Sequence, residues 1–335
     1  MSVLALSLGD PAGVGPEIIV KAWAALRQTG PAFMVIGDAA VLAAVPWDEE
    51  ISVRAVSDAR EAEEVFADAL PVFDIPLGAP VQPGRPSAGA ASAVTGWIEA
   101  GVDMALTGTV SGLVTAPIAK ATLYEGGFQF PGHTEFLGAL TADAPMDGAR
   151  GPIMMLAAGD LRAALVTVHE PIAKVPALLT TDLIVHAGLV TAQALQRDFG
   201  ISAPRLAVTG LNPHAGEGGA LGREEIEIVA PAVAILAERG VDVRGPLPAD
   251  SLFHADARRT YDAALCLYHD QALIPVKMLD FWGGVNLTLG LPIVRTSPDH
   301  GTGFDIAGQG IARADSLIAA LRMAAAIAVR RAAGR

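Results

Sequence analysis

Three histidines dominate the chemistry that this sequence could carry. His169, His214 and His269 stand in LVTVHEP, GLNPHAGEGG and LCLYHDQ, and each follows a short apolar run with the composition of a strand. In open α/β sheets, ligands bind beyond the carboxyl ends of the strands. Three imidazoles delivered there could hold one divalent transition metal and leave a coordination position for substrate. No HxxxH or HxH spacing accompanies them, and taken singly each is better read as an ordinary loop or core histidine.

A second set of polar residues could bind anions. PGHTE sets His133 beside Thr134 ahead of an apolar helix, where Thr134 could also be a plain N-cap. Lys277, Asn286 and Arg295 punctuate the apolar stretch IPVKMLDFWGGVNLTLGLPIVRTS. Two cations and an amide suit a phosphate and a carboxylate, and a solvated face is the alternative. The loop NPHAGEGGALGREE has glycines that would let backbone approach an anion, or it is an ordinary glycine-rich turn. GVGPEI, at Gly13–Ile18, lacks the third glycine of a dinucleotide fingerprint, so these residues alone do not point to NAD.

The elements that must position these groups alternate in kind. Strands are expected at Val3–Leu8, Ala32–Ile36, Met104–Leu106, Leu113–Thr115, Ile153–Leu156, Ala163–Val168, Leu206–Thr209 and Ala264–Tyr268. Helices are expected from Pro16, over Ala177–Phe199, over Glu224–Leu236 with a kink at Pro231, and over Asp315–Arg331. Residues 71–89 are the most loop-like. Such alternation implies an α/β fold with a largely parallel sheet.

Length and composition set the bounds. A chain of 335 residues suggests two domains, and its 52% hydrophobic content with only 5% aromatics implies a core of small aliphatic side chains. The net charge of -13, without a basic block, disfavours nucleic acid and anionic membranes as partners. No apolar run reaches the roughly 20 residues that span a bilayer. The single cysteine, Cys266, lies in an apolar run and is expected to pack in the core. The N-terminus reads as a first strand and not as a signal peptide, so a cytoplasmic location is expected.

Six segments then carry a resemblance. GDPAGVGPE, FPGHTEFL, GLNPHAGEGG, ADSLF, YDAALCLYHDQALIPVK and GVNLTLGLPIVRTSPDHGTGFDIAGQG, in this order over nearly the whole chain, resemble the 4-hydroxythreonine-4-phosphate dehydrogenase family of vitamin B6 biosynthesis. The resemblance implies the fold of isocitrate and isopropylmalate dehydrogenases, with two α/β subdomains and a cleft between them. The first would comprise 1–130 plus 285–335. The second, 131–284, would carry the dimer contact and the metal site. It also implies a homodimer with active sites at the subunit interface. The implied reaction is oxidation of the C3 hydroxyl of 4-phosphohydroxy-L-threonine by NAD or NADP, then decarboxylation to 3-amino-1-hydroxyacetone 1-phosphate.

By the same resemblance, His169, His214 and His269 match ligands of one divalent ion (zinc, magnesium or cobalt) drawn from both subunits. His133, Thr134, Lys277, Asn286 and Arg295 match substrate-binding positions. SPDHGTGFDIAGQGIA resembles the cofactor loop of isopropylmalate dehydrogenases, which implies NAD there, with Gly301 and Asp305 as contacts. Asp250 and Asp270 are candidates for proton transfer or for support of the ligands, and both roles stay open. Gly303 and Ala119 stand where the family more often has Ala and Asn. The nearest alternative is a sister dehydrogenase of 4-phosphothreonate or 4-phosphoerythronate. A phosphate acyltransferase would share the fold but need neither the histidines nor NAD, and a noncatalytic binding module is a third reading.

Overall fold

Alternating apolar runs and amphipathic stretches build two α/β units in the computed structural model, which describes residues 3–47 and 51–334. One unit comprises Met1–Pro145 and Pro292–Val329; the other comprises Met146–Leu291 and the C-terminal residues from Arg330. The sequence expectation divided the chain at 130 and 284. In the structure residues 131–145 go with the first unit and residues 285–291 with the second. The strands are β1 (Leu4–Ser7), β2 (Phe33–Gly37), β3 (Val53–Ala55), β4 (Leu70–Asp74), β5 (Leu113–Thr115), β6 (Ile153–Ala158), β7 (Leu161–Leu165), β8 (Arg205–Thr209), β9 (Asp242–Leu247), β10 (Ala263–Cys266), β11 (Val285–Leu289) and β12 (Arg295–Pro298).

In the first unit the strand order is β3-β4-β2-β1-β5-β12, and every pairing is parallel. Parallel strands buried on both faces read as continuous apolar runs, and β1 and β2 are buried at every position. The helix Gly15–Leu26 starts with Pro16, whose missing N–H costs nothing in a first turn. It buries Ile18, Ile19, Ala22, Trp23 and Leu26. The expected strand at Met104–Leu106 is instead the last turn of the helix Ala91–Leu106. Ala91, Val94, Trp97, Ile98, Gly101 and Val102 are its buried residues, and their three- and four-residue spacing is helical; the helix runs on past Val102 to an exposed Leu106. Of the expected loop at 71–89 only residues 75–87 are irregular; Pro71–Asp74 belong to β4, and Ala88–Ala90 form a short 3-10 turn.

In the second unit β11 pairs antiparallel with β6, and β6 with β7. From β7 onward the order β7-β10-β8-β9 is parallel. Pairing with β6 is what draws residues 285–289 into this unit. Cys266 is buried at the centre of the unit's core, and burial pushes its thiol pKa up, so it packs as the sequence implies. The helix Thr181–Phe199 is capped by the Thr180 hydroxyl, which accepts from the Leu183 N–H, and stops at Gly200 with φ +71°. The expected helix at Glu224–Leu236 opens as a wide π-type turn, Glu225–Val229, and becomes an α-helix at Ala230–Glu238. Pro231 therefore falls in the first turn of the α-helical part, directly after the π-type turn. Among the described residues, no single helix is long and apolar enough to cross a membrane.

Candidate functional site

The second unit presents its histidines at the carboxyl ends of three adjacent parallel strands. His169 follows β7, His269 follows β10 and His214 follows β8. His269 is the first residue of the helix His269–Leu279, and its ring lies 5.7 Å from that of His169, centroid to centroid. Two imidazoles bound to one ion at about 2 Å are spaced in this range. His269 Nδ1 lies 2.8 Å from Asp270 Oδ1, which favours a proton on Nδ1 and leaves Nε2 as the free donor atom. Asp270 therefore stands where a histidine-orienting carboxylate would. Asp250, in the short turn Ala249–Ser251, is exposed. Among the described residues of one chain, no three His, Cys, Asp or Glu side chains could hold an ion together.

His214 sits on a strained loop. His214, Ala215 and Glu217 have φ of 53°, 51° and 43°, in the left-handed region that L-residues avoid. Such strain persists only where surrounding structure enforces it, and it concentrates at functional sites. The enforcement here is Glu225, a buried carboxylate that accepts from the Asn212 backbone N–H at 2.6 Å and from Asn212 Nδ2 at 2.9 Å. Gly216 packs so closely that a Cβ would come within 2.6 Å of Glu225 Oε2. The glycines of this loop thus serve a close approach of the chain to its own buried carboxylate. The side chain of His214 remains 68% exposed.

Sequence reasoning missed the girder beneath these histidines. Gln271 is buried; its Oε1 accepts from the Leu267 N–H and from Thr209 Oγ1, both at 2.8 Å, and its Nε2 donates to the Gly210 carbonyl at 2.7 Å. Thr167 Oγ1 donates to the Leu267 carbonyl at 2.7 Å. One amide and one hydroxyl thereby tie together the ends of β7, β8 and β10. The only sequence signal was an amide lying two residues after His269, which carries no characteristic spacing.

Two of the expected anion-binding residues also lie in the second unit. Lys277 is half-buried in the last turn of the helix His269–Leu279, its Nζ 5.3 Å from the centre of the Phe281 ring. Asn286 lies on β11, and its Oδ1 is shut off from solvent with no hydrogen-bond partner among the described residues.

The first unit brings His133, Thr115 and Arg295 together. Arg295 begins β12, is 4% exposed, and donates from Nη2 to Thr115 Oγ1 at 2.7 Å. The same Nη2 lies 3.4 Å from His133 Nδ1. A guanidinium only donates, so Nδ1 accepts and the imidazole proton sits on Nε2. That Nε2 is inaccessible to solvent and has no hydrogen-bond partner among the described residues. A buried polar atom of this kind ordinarily has a partner, so it suits a ligand acceptor. Burial, then the charges of Arg295 and of Lys120, hold His133 well below the usual histidine range. Burial lowers Arg295 to about 10, which still leaves it charged at neutral pH. Thr134 lies inside the first turn of the helix His133–Leu140, and the cap position falls on Gly132, so the N-cap alternative for Thr134 does not hold.

Gly301 and Asp305 are exposed on the loop that follows β12. Its far end is fixed by Glu17, a buried carboxylate that accepts from the Ala312 N–H at 2.8 Å and from Lys21 Nζ at 2.7 Å. Its near end receives the Val14 N–H at the Thr302 carbonyl, 2.8 Å away. A Cβ on Gly13 would lie 2.7 Å from that same oxygen. The GDPAGVGPE segment is therefore a support for this loop.

Parallel strands that end in polar clusters, with a histidine set in one unit and a buried arginine against a half-buried histidine in the other, define an α/β enzyme. The family model for the pyridoxal phosphate biosynthetic protein PdxA matches residues 30–324. A 4-hydroxythreonine-4-phosphate dehydrogenase of Caulobacter vibrioides is 70% identical over 98% of both chains, and one of Maricaulis maris is 56% identical over 98% of both. The solved 4-hydroxythreonine-4-phosphate dehydrogenase of Klebsiella pneumoniae is 37% identical, with a TM-score of 0.85 over 98% of each chain. The chain belongs to the 4-hydroxythreonine-4-phosphate dehydrogenase family, a family of oxidoreductases.

Proposed function

We propose that this chain oxidises the C3 hydroxyl of 4-phosphohydroxy-L-threonine with NAD or NADP, and that the resulting β-keto acid loses carbon dioxide to give 3-amino-1-hydroxyacetone 1-phosphate. The observation that carries the reading is the pairing of buried Arg295 with half-buried His133, a charged guanidinium beside a solvent-shielded Nε2–H donor, in a member of this family. Arg295, His133 and Thr134 offer donors to an anionic substrate group, as do Lys277 and Asn286 in their own unit. His169, His214 and His269 are the residues that would hold a divalent ion, zinc, magnesium or cobalt, with Asp270 orienting His269. When bound, such an ion would supply Lewis acidity at the substrate hydroxyl and a nicotinamide would supply the hydride acceptor; Gly301 and Asp305 are the residues that would hold the nicotinamide cofactor.

We infer a homodimer whose subunits share the ion. Three histidines at neighbouring strand ends that do not close on an ion within one chain support this arrangement. Ile274, Met278, Phe281 and Trp282, apolar and exposed around Lys277, suit a subunit contact. An acidic chain whose one cysteine is a buried thiol suits a reducing aqueous compartment, and we assign it to the cytoplasm. The experiment is product analysis. Incubation with 4-phosphohydroxy-L-threonine, NAD and divalent metal should release equimolar NADH and carbon dioxide. Absence of both products from a folded, metal-loaded dimer would overturn the proposal.

A further inference from the structure

The Arg295–His133 pair has a third neighbour that the sequence motifs do not single out. Lys120 comes five residues after β5, the strand whose Thr115 accepts from Arg295, and opens the short helix Lys120–Glu125. Its Nζ reaches across to the helix that starts at His133. A Cβ on Gly132 would meet Lys120 Nζ at 3.0 Å and Cε at 3.1 Å. Among the described residues, Lys120 Nζ makes no hydrogen bond and no ion pair. Glu135 Oε2 lies 3.0 Å from the same Gly132 position, yet it stays beyond ion-pair distance of the amine.

This placement is unfavourable in the absence of an anion. The positive end of the helix His133–Leu140 has no side-chain cap at Gly132, and a cation at a helix N-terminus is repelled by the macrodipole. Lys120 is moreover close enough to contribute, with Arg295, to the electrostatic field at His133. A lysine amine with no ion-pair partner among the described residues, set beside a buried guanidinium and a solvent-shielded N–H donor, is a pattern for binding an anion. With His133 neutral, Arg295 and Lys120 contribute two positive charges and His133 Nε2 one hydrogen-bond donor. That sum matches a phosphate dianion better than a carboxylate.

We propose that Lys120 is a further substrate-anchoring residue, the third side of a phosphate pocket formed with Arg295 and His133. This rests on the reading of the site as one for a phosphorylated substrate. The protein would lose little else with this amine, because no partner among the described residues depends on it.

The test pairs binding of inorganic phosphate with turnover, using the full-length protein. Calorimetric titration with phosphate should show Lys120→Met binding about tenfold more weakly than wild type, the size of one charge-assisted contact. KM for the phosphorylated substrate should rise by a similar factor, with kcat changed far less. Lys120→Arg should recover most of both, and Glu135→Gln should not weaken phosphate binding. Lys120→Gln gives the same reading should the methionine variant fail to fold. Phosphate binding by either neutral variant at wild-type strength overturns the proposal, as does a wild type that binds no phosphate at millimolar concentration. A wild type that binds phosphate through Lys120 but oxidises no phosphorylated hydroxythreonine refutes the proposed reaction and leaves the anion pocket standing.

Discussion

Replacing Arg295 with lysine separates geometry from charge at the anion site. Nη2 of Arg295 spans Thr115 Oγ1 at 2.7 Å and His133 Nδ1 at 3.4 Å. A lysine amine keeps the positive charge, but it is a single point on a flexible stem and cannot reproduce the planar fork. At least one charge-assisted contact to the substrate or its neighbours is lost, worth roughly 1.5–3 kcal/mol. His133 also loses the donor that directs its proton to Nε2, so the ring no longer presents that donor uniformly. The expected fall in kcat/KM is on the order of tenfold to a hundredfold. The assay is the initial rate of NADH formation against phosphorylated substrate, with the thermal midpoint of the same preparation as control. An Arg295→Lys enzyme within twofold of wild type would refute the reasoning. So would an activity loss matched by a collapse of the midpoint.

Further outcomes follow from individual residues. His133 has a folded pKa depressed below its unfolded value of about 6.5, so its contribution to stability is complete above pH 6.5 and declines as pH falls toward the folded pKa, by up to about 1.4 kcal/mol per unit. His133→Gln should remove that part of the slope in denaturant titrations between pH 7 and 5; an unchanged slope counts against a buried neutral imidazole. Gly216→Ala, forced into φ +78° and against Glu225, should destabilise the His214 loop by about 1–3 kcal/mol, read as a weaker metal affinity at constant fold. Full affinity in that variant would show that the loop does not present His214. Chains carrying His214→Ala and chains carrying His269→Ala, each inactive alone, should regain activity after subunit exchange if these ligands come from opposite subunits. No recovery under conditions shown to exchange subunits would contradict the shared site.

Much of the scaffold was legible because it rests on period and strand ends. The apolar runs before His169, His214 and His269 are strands, and parallel topology then sets their ends side by side. Met104–Leu106 was misread because three apolar residues fit a strand as well as the last turn of a helix, and only the spacing of Val94, Trp97, Ile98, Gly101 and Val102 decides. The boundaries of the units were less legible, since β11 joins the second unit through pairing with β6, a partner far away in sequence. Gln271 and Lys120 escaped notice for a similar reason. Each acts through contacts that exist only after folding, and neither a lone amide nor a lone lysine has a spacing that announces its partners. GVGPEI is not a dinucleotide fingerprint, and its spacing does not reveal what Gly13 does: the missing side chain makes room for the Thr302 carbonyl.

The most direct measurement is a comparison of kcat/KM for 4-phosphohydroxy-L-threonine with that for 4-phosphothreonate and 4-phosphoerythronate, using one metal-loaded preparation. The account predicts that the amino substrate is preferred, by at least about tenfold, with NADH and carbon dioxide released in equal amounts. A preference for either phosphorylated sugar acid would contradict it and assign the chain to the sister reaction.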